Sequence, residues 1–129
     1  MIYSELLSNI WIGDIEISSK SSFLKDNNID IIINCTTCDI KITQDMILVN
    51  LSLPDVFDIA YMKINNSKEK ILKYIYDNMD TKSILIVSYG DIRISSYIMY
   101  LFIEKYGNLS KTNIKNMIQT KNNLISVDY

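Results

Sequence analysis

Two spacings of apolar residues alternate along this chain. From Ala60 to Met79 the residues Ile64, Ile71, Leu72, Ile75 and Met79 fall at helical intervals with lysines between them, which predicts an amphipathic helix. Ile94 to Tyr106 is a second, strongly apolar helical stretch, with Gly107 at a natural left-handed stop. Ser110 can cap a last helix to about Lys121. Shorter β-branched runs lie between them. Ile29 to Asn34 reads as a buried parallel strand, Met46 to Leu53 as another that breaks at Pro54-Asp55, and Ile84 to Val87 as a central one entered by a turn at Asp80 to Ser83. At the start, Ile2 to Gly13 reads as strand, with Ile10 and Ile12 alternating and Trp11 covering a core edge. Ser18 or Ser19 can cap a short helix through Leu24 and Lys25, which Asn27-Asn28 would end. Strands alternating with helices imply an α/β fold: a single three-layer domain, residues 1-129, with a central, mostly parallel sheet flanked by helices.

The stretch with chemical content follows the central strand. Ile84-Leu85-Ile86-Val87 runs into Ser88-Tyr89-Gly90-Asp91-Ile92-Arg93, and the apolar helix begins at once with Ile94. Strand, glycine-bearing loop and helix N-terminus in that order build a phosphate cradle, because backbone N–H groups converge where the helix dipole is positive. Gly90 and Arg93 are the candidate anion-binding residues, Arg93 offering a bidentate fork. Asp91 counts against phosphate, since a carboxylate within the loop competes with an incoming dianion. A structural role for Arg93, tying the loop to Asp55 or Asp91, is the competing reading.

Composition narrows the chemistry. Among 129 residues there is no histidine, which removes histidine triads, histidine general bases and histidine metal sites. A net charge of −2 speaks against a nucleic-acid surface built on bulk charge. Neither a signal peptide nor a membrane-spanning run is visible, so a soluble, cytoplasmic protein is expected, with no membrane partner. Cys35-Thr36-Thr37-Cys38 is a lone C-x-x-C without a second ligand pair, and reads as a strand end with Cys35 in the core rather than a zinc or redox site. No metal and no cofactor is expected. Lys63, Lys68, Lys70 and Lys73 read as a solvated helix face, and Tyr74, Tyr76, Tyr97 and Tyr100 as helix packing and surface.

Four pieces in order resemble the dual-specificity protein phosphatases of the cysteine phosphatase superfamily, whose viral members, the poxvirus type included, are similarly compact. Ser4 to Gly13 is similar to that family's opening strand, and Phe23 to Thr36 to its helix-to-strand passage ending in N-C-T. Leu51-Ser52-Leu53-Pro54-Asp55 falls where the family carries its general-acid aspartate, and Lys82 to Arg93 where it carries strand, phosphate loop and arginine. The family signature is H-C, five residues, then R and S or T. Counted back from Arg93, the nucleophilic cysteine falls on Val87 and the histidine on Ile86, while Ile94 replaces the hydroxyl residue.

The resemblance therefore implies a phosphatase fold with a degenerate loop over Ile86 to Ile94 and a vestigial general-acid position at Asp55. Isopropyl cannot attack phosphorus, and Ser88 lies one position late with no base to activate it. The expected function is a catalytically inactive binding or regulatory module, a pseudophosphatase, with protein partners that include phosphorylated signalling proteins. The alternatives are a phosphoesterase using Ser88 or metal held by Asp55 and Asp91, and an interaction protein whose old pocket is irrelevant. The resemblance thins after Gly107, so apolar surface exposed by a shortened C-terminus could be covered by a partner or by a second copy in a homodimer.

Overall fold

The structure, a computed structural model, describes residues 1–129. Strands β1 (Tyr3–Leu7) and β2 (Ile10–Asp14) form a hairpin, and a 3-10 turn (Ile15–Ser19) leads into α1 (Ser21–Asp26). Then come β3 (Ile29–Asn34), β4 (Ile47–Asn50), α2 (Phe57–Asn78), β5 (Ser83–Ser88), α3 (Arg93–Tyr106) and α4 (Lys111–Lys121). The sheet order is β1-β2-β5-β3-β4, antiparallel at β1 and parallel elsewhere. The single α/β domain expected from the sequence is present.

Period-two alternation divides the strands between two cores. Ile10 and Ile12, Ile31 and Ile33, Ile84 and Ile86 face the large cluster beneath α2, α3 and α4. Ile32, Leu85 and Val87 face the smaller one beneath Ile17 and α1. Strand β5, paired on both edges and covered on both faces, is the most enclosed element, as its uninterrupted apolar run requires.

Several boundaries differ from the sequence reading. The opening run is two strands, because Asn9 takes a positive φ of 68° and turns the chain between them. Neither Ser18 nor Ser19 caps α1; their hydroxyls donate to the Ile15 and Glu16 carbonyls, and Asp14 caps the 3-10 turn instead. Strand β4 stops at Asn50, where Asn34 and Asn50 join side chains and Ser52 turns left-handed at φ 53°. Helix α2 begins at Phe57, three residues early. Gly107 ends α3 in extended backbone, not left-handed; it is small because a Cβ there would sit 2.8 Å from the Ile103 carbonyl oxygen. Asn28 (φ 52°) and the Ser110 cap agree with expectation.

The C-terminal segment packs on the body of the fold. Residues 122–129 fold back across the N-terminal end of α3, burying Ile125 and packing Val127 and Tyr129 against the main core. The Tyr129 hydroxyl lies 3.0 Å from Ser96 Oγ, and its ring is 5.2 Å from Tyr97 and 5.1 Å from Tyr100.

Burial pushes the phenols of Tyr97 and Tyr129 up to about 12 and raises the Cys35 thiol as well. Unfolding releases these groups to ordinary values near 9 for the thiol and 10 for the phenols. Above those values the unfolded chain has lost protons that the native one keeps, so stability is complete below about pH 9 and falls as pH rises toward 12. Urea midpoints should decline steadily through that window, and Cys35→Ala should delay the onset to the phenol range.

Candidate functional site

The loop after β5 divides its side chains between core and surface. Val87 points into the small cluster with Ile32 and Leu85, and Ile86 into the large one; both are completely buried. Ser88 is buried too, its Oγ 2.6 Å from Ser95 Oγ and accepting the Ser95 N–H at 3.2 Å. These three positions thus present no group to solvent. Gly90 is exposed at φ 47°, with nothing near a would-be Cβ, so glycine is used here for handedness and not for space. Ile92 is left-handed as well, at φ 53°, although β-branched and fully buried.

What faces outward is a hollow of about 230 Å³. Pro54, Asp55, Val56 and Phe57 form one wall, and Tyr89, Asp91, Arg93 and Ile94 the other. The loop residue Tyr89 binds three segments together. Its hydroxyl accepts the Thr37 N–H at 2.8 Å, meets Thr37 Oγ1 at 3.0 Å and donates to the Leu53 carbonyl at 3.2 Å.

Arg93 is paired with neither Asp55 nor Asp91. Its guanidinium carbon stacks 3.4 Å from the centre of the Phe57 ring, its Nε donates to the Asp128 carbonyl oxygen, and a terminal nitrogen lies 3.7 Å from the Asp128 carboxylate. The returning C-terminal segment therefore takes the cation that the sequence offers to an anion. Asp91 acts on the backbone: its Oδ1 accepts the Arg93 N–H at 3.2 Å, filling a donor at the helix N-terminus. The Ile92 N–H is used as well, by the Tyr89 carbonyl at 2.8 Å. Asp55 is exposed on the facing wall. Two carboxylates and one already paired guanidinium make this a poor trap for a phosphate dianion.

Cys35 is buried at the end of β3, its N–H donating to the Val87 carbonyl at 2.8 Å, whereas Cys38 is exposed; the two are not bonded. Asn34 shapes this segment. Its amide donates to the Cys38 carbonyl at 2.8 Å and to Asn50 Oδ1 at 2.9 Å, and its Oδ1 accepts the Thr36 N–H at 3.0 Å and hydroxyl at 2.7 Å.

Phe57, the Tyr89 hydroxyl and Asp128 were not anticipated. The alternation of Ile125, Val127 and Tyr129 with polar Ser126 and Asp128 was the available signal that this segment packs. Nothing local tied Asp128 to Arg93, thirty-five positions earlier.

A mostly parallel sheet with the glycine loop between its central strand and an apolar helix is an arrangement that solved dual-specificity phosphatase structures share with this chain. No protein-family profile matches the sequence, and no curated protein matches it either. Solved structures do. DUSP15 superposes with a TM-score of 0.83 at 15% identity, over 95% of this chain and 77% of its own. The human tyrosine phosphatase-like serine/threonine/tyrosine-interacting protein gives 0.83 at 15% identity, over 96% and 86%. A leucine rich repeat and phosphatase domain containing protein from Entamoeba histolytica gives 0.75 at 19% identity, over 96% and 81%. At such identities the likeness establishes the fold.

Proposed function

We propose that this chain is a pseudophosphatase: a phosphatase-like domain without phosphatase chemistry that serves as a binding or regulatory module for other proteins. The observation carrying this reading is Val87. It stands six positions before Arg93, where the resembled family places its nucleophile, and its side chain is packed into the core. A covalent phosphoryl intermediate needs a thiolate or activated hydroxyl in that place. The nearest hydroxyl, on Ser88, is buried against Ser95. Asp55 then has no leaving group to protonate. The compact frame fits the viral members of the resembled family, and one structurally similar protein is itself named a phosphatase-like interacting protein.

The test is turnover of p-nitrophenyl phosphate and of phosphotyrosine and phosphothreonine peptides, with and without added Mg²⁺ or Mn²⁺. We expect no rate above buffer for the wild type. Val87→Cys should stay inactive as well, because the new thiol would face the small core while Ile94 supplies no hydroxyl and Arg93 remains held by Asp128. Wild-type turnover that vanishes in Arg93→Ala would overturn the reading.

A further inference from the structure

A second hollow, of about 450 Å³, lies away from the loop, between α2, α3 and α4. Its floor is aromatic. The Tyr61 and Tyr97 rings stack at 4.8 Å, and Tyr129 bridges Tyr97 to Tyr100. Its rim is cationic: Lys68 comes from α2, and Lys111 and Lys115 from α4, one helical turn apart. Lys115 is committed, donating to the Tyr129 main-chain oxygen at 2.9 Å with its ammonium 5.0 Å from the Tyr129 ring centre. Lys68 and Lys111 are exposed and within ion-pair distance of no carboxylate; Glu69, next to Lys68 on α2, is paired with Lys105 of α3. The only acid on the rim, Glu104, accepts the Tyr100 hydroxyl at 3.4 Å.

The charge balance here is opposite to that of the protein. Three lysines face one glutamate on a chain whose net charge is −2. In the loop hollow, by contrast, two aspartates face one arginine. Free ammonium groups beside a tyrosine floor suit carboxylates next to a flat apolar side chain. The volume admits one or two side chains, and the overall acidity disfavours a long polyanion such as nucleic acid. We infer that the hollow between α2, α3 and α4 binds an acidic peptide segment of a partner protein, with Lys68 and Lys111 taking its carboxylates and the exposed Tyr61 ring, backed by the buried Tyr97, its aromatic or apolar side chain. The site lies outside the loop hollow, although Arg93 helps hold the segment that carries Tyr129, and it stands whether or not the chain lacks phosphatase activity.

Fluorescence anisotropy with a short fluorescein-labelled peptide of Glu and Asp around a central Phe tests it. Saturable binding to the wild type is expected, weakening as salt is raised. The Lys68→Glu, Lys111→Glu double variant should weaken it about tenfold or more, and the peptide's Gln and Asn counterpart should not bind. Val56→Glu, which adds a negative charge to the loop hollow at an exposed residue, should bind like the wild type, and both lysines are exposed enough for the double variant to keep its melting temperature. Three results would overturn the inference: no saturable binding, equal affinity in the double variant, or binding lost in Val56→Glu while the double variant retains it. The last would place the peptide at the loop.

Discussion

Asn34→Leu will lower the unfolding free energy by about 3 kcal/mol, the upper range for stranding buried polar groups. The side chain is only 1% exposed and makes four hydrogen bonds, so both of its amide donors and its carbonyl are spent inside the protein. Leucine matches the volume but leaves the Thr36 N–H, the Cys38 carbonyl and Asn50 Oδ1 without their partner. Water can reach the exposed Cys38 and Asn50, so the loss falls chiefly on the buried Thr36 N–H. The damage should spread, because Thr36 Oγ1 in turn accepts the Cys38 N–H at 3.0 Å, and Thr37 next door holds the Tyr89 hydroxyl. Chemical denaturation would give the stability loss. Amide exchange should show residues 35–38 opening first, and a variant as stable as wild type would mean that the network is ornamental.

Ile92→Gly sets two effects against each other. Isoleucine in left-handed backbone costs roughly 1–2 kcal/mol that glycine would recover. Yet the side chain is fully buried in the main core, and removing a buried aliphatic of this size costs about 2–5 kcal/mol. Glycine also loosens the unfolded chain. The net expectation is destabilisation by about 2 kcal/mol, less than for Ile86→Ala at a fully buried site with ordinary strand geometry. If Ile92→Gly proved neutral, relief of strain would equal the burial loss and the glycine entropy cost together. If it cost more than Ile86→Ala by about the 0.5–1 kcal/mol that glycine adds over alanine, the loop would carry no strain.

The parts of the fold legible in the sequence were those with long periodic signals. The α2 and α3 stripes and the apolar runs of β3 and β5 appear where their spacing put them, since each pattern matches one buried face. Shorter signals failed for identifiable reasons. A serine before a helix is a cap only if the chain enters at the right angle, and Ser18 and Ser19 lie inside a 3-10 turn instead. At Gly107, steric closeness to Ile103 explains the glycine as well as handedness would have done. For the site, the placement of Tyr89, Asp91 and Arg93 beside one hollow followed from the strand-loop-helix order, and that of Asp55 from the family resemblance. The orientation of Arg93 did not follow, because it depends on Phe57 and Asp128, which no local rule connects to it.

Strand β5 is last in the chain but lies in the middle of the sheet, between β2 and β3, with seventy residues separating its first residue from Gly13. Until it arrives, β2 and β3 have no common partner, and the first half of the chain holds a hairpin and a strand pair that cannot join. Folding must therefore wait for contacts of long sequence separation, which slows it compared with a helical domain of this length. Unfolding is correspondingly concerted: losing the middle strand splits the sheet into two pieces, each with a bare edge open to pairing with other chains.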